Sequence, residues 1–141
     1  MVRFFVGLGF GAILTIYSVG FGGVGHGTYA PLVFTMPLIA LTNGGGIIMI
    51  LLAPLPWALY FLLLPRIRPA RNRIACLSVV LSVHILAGGF LAIQDPAFTR
   101  AVNDNWRGVL IFGFLTAITM SSLFYFTVRG SVTKQSENLH V

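Results

Sequence analysis

Four apolar stretches, each near the length that crosses a lipid bilayer, constrain this chain more than any motif in it. About 30 Å of hydrocarbon crossed at 1.5 Å per residue needs about 20 mostly apolar residues. The stretches run from about residue 4 to 24, within 32 to 64, from 74 to 93 and from about 107 to 128. Hydrophobic residues make up 57% of the chain and charged residues only 9%, against about 45–50% and 25% in soluble domains. The sequence therefore predicts an all-α polytopic membrane protein. One domain of four transmembrane helices occupies residues 1–129, followed by a short, polar, disordered cytoplasmic tail from 130 to 141.

The first stretch begins behind Arg3 as a secretory signal would, but it is longer than the usual apolar core of about 7 to 15 residues. No Ala-x-Ala site follows it, so it is expected to stay as a span. The stretch from Leu32 to Leu64 is too long for one span and is broken by Asn43-Gly44-Gly45-Gly46. Counting about 20 residues back from Pro65-Arg66 places the second span at 46–64. Residues 29–42 are then an interfacial or re-entrant segment, the alternative being one long, tilted, kinked helix.

Orientation follows from the basic residues. With the N-terminus in the cytoplasm, Arg3, Arg66, Arg68, Arg71, Arg73, Arg129 and Lys134 fall inside, and only Arg100 and Arg107 fall outside. By the positive-inside rule both termini are cytoplasmic and the protein sits in the cell (inner) membrane. The same rule accounts for the net charge of +6, so the basic residues speak for orientation rather than for nucleic acid. Trp106 falls at the outer end of the fourth span, where an amphipathic ring belongs. Cys76 is the only cysteine, which excludes an intrachain disulfide or cysteine-based zinc site, and it reads as a small buried hydrophobe.

Helices in lipid hold together by close approach at small residues and by interhelical hydrogen bonds. Gly7, Gly11, Thr15, Ser18 and Gly22 fall on one face of the first span, and Gly113, Ala117 and Ser121 on one face of the fourth. Each seam is expected to meet another helix, of this chain or of a partner.

Gly20-Phe21-Gly22-Gly23-Val24-Gly25 matches the spacing of a dinucleotide-binding loop, but no strand precedes it and no acid follows before Asp95. It reads as packing seam and helix end. The next residues, Gly25-His26-Gly27-Thr28-Tyr29-Ala30-Pro31, form a polar outer turn. This turn resembles a Gly-His-Gly-Thr-Tyr-x-Pro segment of small uncharacterised bacterial membrane proteins. The likeness covers about seven residues and implies no activity. His26, with Thr28 and Tyr29, reads as an interfacial loop, because no second His, Asp, Glu or Cys lies near enough in sequence to complete a metal site.

His84 lies about 9 residues, hence about 14 Å, from the outer end of its span and so near the bilayer midplane. An ionisable group at that depth needs a partner or a function. Equal depth on the other spans falls near Thr15 and Ser18, Pro54, and Thr116 and Thr119, the expected polar midplane cluster. Pro54 also frees the carbonyl of Ile50 as an acceptor. A single-histidine haem or chlorophyll site is the alternative, with His84 as axial ligand and Gly88 leaving room for the ring. His26 is too far in depth to be a second ligand; without such a cofactor, bound lipid is the only ligand expected.

No carboxylate falls inside a span, since Asp95, Asp104 and Glu137 all lie outside. Proton-coupled transport and intramembrane carboxylate chemistry are therefore disfavoured. A noncatalytic accessory or structural subunit of a larger membrane complex, with other membrane protein subunits and the lipid bilayer as partners, is the expected function. Cofactor binding or small-solute handling at His84 is the alternative, and a membrane enzyme with His84 as base the third.

Overall fold

The computed structural model describes residues 1–21, 30–38 and 47–129. Among these, all regular structure is helical: α1 Val2–Phe21, α2 Ala30–Thr35, α3 Ile47–Leu52, α4 Pro54–Leu63 with a 3-10 turn Leu64–Arg66, α5 Ala70–Gln94, α6 Pro96–Asp104 and α7 Trp106–Arg129. Three are long and apolar enough to cross a membrane: Val2–Phe21, Ala70–Gln94 and Trp106–Val128. Extensive apolar surface on α5 and α7, including Val79, Leu86, Phe90, Leu110 and Phe114, is left exposed, which suits contact with a bilayer. The tail from residue 130 and the expected outer turn, His26, Thr28 and Tyr29, lie outside the described residues, as does Gly22 of the first seam.

The remaining apolar stretch is a broken run. Its break falls at Ala53, because Pro54 has no N–H to give the carbonyl of Ile50. The Ala53 N–H reaches that carbonyl instead, at 3.3 Å, and the expected acceptor for His84 is replaced by Phe34 O. Beyond it, α4 packs along α1 at the two seam glycines. A Cβ at Gly7 would lie 2.6 Å from the Trp57 carbonyl oxygen, and one at Gly11 would lie 2.8 Å from the Pro54 backbone. Only glycine admits this approach. Leu14, Trp57, Phe61, Leu64, Leu77 and Leu123 form the main buried cluster, with Phe10 stacked on Phe61 at 5.7 Å.

The second seam behaves differently. Gly113, Ala117 and Ser121 are exposed, and a Cβ at Gly113 would meet nothing within 4 Å. Within the described residues the seam therefore faces outward. Cys76 is likewise exposed rather than buried, because Arg73, Leu77, His84 and Gly88 take the inward face of α5. Residues 95–105, read as an outer loop, contain α6. Asp95 caps it by accepting from the Ala97 N–H at 2.8 Å, and Pro96 occupies the first turn, where its missing N–H costs nothing.

Candidate functional site

The polar centre of the bundle is organised around α2. A six-residue helix leaves most of its carbonyls without intrahelical partners, and a buried carbonyl left unpaired is costly. Ala30, Pro31, Leu32, Val33 and Thr35 are all buried. The chain supplies donors to them from three other helices, α1, α4 and α5. Pro31 O accepts from the Thr35 hydroxyl at 3.0 Å and from the Ser18 hydroxyl at 3.2 Å. Leu32 O accepts from the Met36 N–H at 2.9 Å. Phe34 O is met by His84 Nδ1 at 2.5 Å, and Thr35 O accepts from Trp57 Nε1 at 3.0 Å. The Ser18 and Thr35 hydroxyls also lie 3.1 Å apart.

His84, Trp57 and Thr35 are 0% exposed and Ser18 1%. A carbonyl oxygen can only accept, so Nδ1 of His84 carries the proton in this bond. In the neutral imidazole Nε2 is then an acceptor, and the Tyr60 hydroxyl lies 3.3 Å from it. Aromatic rings enclose the imidazole: Trp57 at 4.9 Å between centroids, Tyr60 at 5.6 Å and nearly perpendicular, Phe34 at 6.1 Å. Both ring nitrogens are thus engaged, and no face is open to water.

The residues expected around His84 are not its partners. The Thr15 hydroxyl donates to Gly11 O at 2.7 Å and Thr119 to Leu115 O at 2.8 Å, each one turn back on its own helix. Ser18 donates to Leu14 O at 2.7 Å as well as reaching α2. Thr116 Oγ1 is buried without a partner. Counting depth along the long apolar stretches finds residues at one level, but it cannot find partners on a helix of six residues whose place in the bundle the count does not give. That helix supplies Phe34. Trp57 and Tyr60 were missed although one signal pointed to Trp57: an indole well inside an apolar stretch needs an acceptor for its N–H.

Gly88 lets α2 approach α5 closely. A Cβ there would lie 2.7 Å from Phe34 Cβ and 3.0 Å from its Cα, so the space expected for a porphyrin or chlorin ring is filled by Phe34. Beyond Phe34 lies an apolar cavity of about 280 Å³, bounded by Phe21, Pro31, Gly89, Phe98 and Phe112 among others. It is about twice the size of a cavity that holds benzene (~150 Å³) and at the lower limit of drug-sized sites. Among the described residues its walls offer no ionisable side chain, which suits a hydrocarbon group. Comparison of the chain with protein-family models, curated proteins and solved structures finds no match to any of them.

Proposed function

We propose that this chain is a noncatalytic subunit, accessory or structural, of a larger complex in the bacterial inner membrane. In this reading both termini are cytoplasmic. The run from 47 to 66 is the second of four crossings: although broken at Ala53, its 20 residues are about the number that 30 Å of hydrocarbon needs. Residues 30–38 form a re-entrant segment, as the side-chain pairing of the α2 carbonyls supports, since irregular backbone is tolerated in a membrane only where protein satisfies it.

The observation that carries the proposal is the outward seam on α7. Gly113, Ala117 and Ser121 present small residues to the exterior with open space beside Gly113. Such seams let helix backbones approach closely in lipid, and here the chain itself provides no partner among the described residues. The engagement of both His84 nitrogens supports the noncatalytic part, because a base or metal ligand needs a free nitrogen. Mild-detergent extraction of the tagged full chain, followed by sizing and native mass spectrometry, tests it. Copurifying membrane subunits are expected; recovery only as a bare monomer contradicts it.

The cavity beside Phe34 supports a second reading, a protein that holds a small hydrocarbon group. Extraction of purified protein into organic solvent, followed by mass spectrometry, would identify a stoichiometric apolar compound if that reading holds; its absence counts against it.

A further inference from the structure

At the end of the bundle where α5 begins, a guanidinium is buried with no anion beside it among the described residues. Arg73 is 4% exposed, its Nε is buried with no hydrogen-bond partner, and Nη1 has only a long contact, 3.4 Å, with Pro65 O. Thr127 is 0% exposed, and its Oγ1 is also buried without a partner. The two belong to one level of the fold. Leu77 and Leu123 share the core cluster; Arg73 lies one turn before Leu77 on α5, and Thr127 one turn after Leu123 on α7, which runs the opposite way. Both α5 and α7 contact the 3-10 turn Leu64–Arg66, whose Pro65 touches Arg73.

A buried charge with no counter-charge is strongly unfavourable, and a buried hydroxyl without a partner adds to the cost. The described acids cannot relieve it: Asp95 and Asp104 cap and close α6, at the opposite end of α5. An oxyanion from outside the chain would satisfy both groups at once. The planar guanidinium offers a forked pair of donors suited to phosphate, and the hydroxyl adds a further donor. Exposed Arg66, Arg68 and Arg71 at the same end raise the local concentration of anions. We propose that Arg73 and Thr127 form a binding site for a phosphate oxyanion, reached from the membrane surface where α5 begins.

Phosphate at a membrane surface comes from a lipid headgroup or from solution, and one experiment separates them. The delipidated full chain in mild detergent is titrated with phosphatidylglycerol and, separately, with inorganic phosphate, with native mass spectrometry and thermal unfolding as readouts. A response to the lipid alone assigns a headgroup; a response to inorganic phosphate as well assigns a free anion; either supports the site. Loss of a charge-assisted hydrogen bond predicts affinity about tenfold or more weaker in Arg73→Gln, and loss of a neutral one about threefold weaker in Thr127→Val. Arg71→Gln removes the same charge from the surface and should stay within about twofold. Thr127→Val should also unfold at a higher temperature without ligand, since it deletes an unpaired hydroxyl, so it keeps the test decisive even if Arg73→Gln does not fold. No response in the wild type, unchanged affinity in Thr127→Val, or equal losses in Arg71→Gln and Arg73→Gln would overturn the site.

Discussion

The indole Nε1 of Trp57 donates to the carbonyl of Thr35 at 3.0 Å, joining α4 to the last residue of α2. One turn of α2 is thereby held from one side by Trp57 and from the other by His84, which meets the neighbouring carbonyl of Phe34. The two bonds leave the C-terminal end of α2 neither in water nor unpaired in hydrocarbon, and they explain why a tryptophan and a histidine are fully buried.

Replacing Trp57 by Phe keeps an aromatic ring but removes the donor. The Thr35 carbonyl is then buried and unpaired, at a cost of about 1–3 kcal/mol. Thermal unfolding in detergent should show a lower midpoint for Trp57→Phe, and an unchanged midpoint would mean the bond contributes nothing.

The α1 glycines divide by their surroundings. Gly11→Ala drives a methyl group into the Pro54 backbone, for which about 1–3 kcal/mol of destabilisation is expected. Gly9→Ala meets nothing within 4 Å and should be neutral or stabilising by up to about 1 kcal/mol, as alanine is the better helix former. Unfolding of the two variants side by side checks this, and equal effects would show that α1 does not pack on α4 as described.

On α7, Gly113→Leu should leave the stability of the isolated chain within about 0.5 kcal/mol, because its side faces open space. In the native membrane the same substitution should release the copurifying subunits. Pull-down yields that match the wild type would remove the seam from the interface.

Gly89 borders the apolar cavity, and a Cβ there also meets nothing within 4 Å. Gly89→Leu is expected to fill the cavity and raise the unfolding midpoint, a gain of about 0.5–2 kcal/mol being usual for filled cavities. Any hydrocarbon extracted from the wild type should be missing from this variant; its retention would place the compound elsewhere.

Much of the helical architecture is legible in the sequence because it depends on composition. Expected spans at 74–93 and 107–128 correspond to α5 and α7, each a few residues longer, and the α1 seam at Gly7 and Gly11 lies where a helical period of 3.6 puts it. The α7 seam has the same pattern and the opposite environment. Spacing names a face but not what lies against it. Helix α6 was legible in principle, from Asp95 followed by Pro96 and a clear amphipathic pattern, yet it covers only nine residues and its low hydrophobicity reads as loop beside the apolar stretches around it.

The centre of the bundle was less legible, for a geometric reason. His84 was recognisable as a buried polar group from its depth alone, but its partners depend on where α2 lies. Phe34 and Thr35 contribute backbone carbonyls, which every residue has, so no residue type marks them. Thr15 and Thr119 looked like partners and instead bond their own helices, as threonine in a helix readily does. Cys76 followed the same pattern of error, since an apolar composition does not say which face of α5 turns outward.

The central claim, that His84 ties α2 into the bundle and is not a ligand or base, rests on the bond from its Nδ1 to Phe34 O. Nitrogen NMR of protein labelled with ¹⁵N-histidine in lipid bilayers measures it directly, with His84→Gln identifying the signal among the three histidines. The account predicts a neutral imidazole protonated at Nδ1, with a signal unchanged when haem or zinc is added. A ring protonated only at Nε2, or a signal shifted or broadened by the added metal, would contradict it.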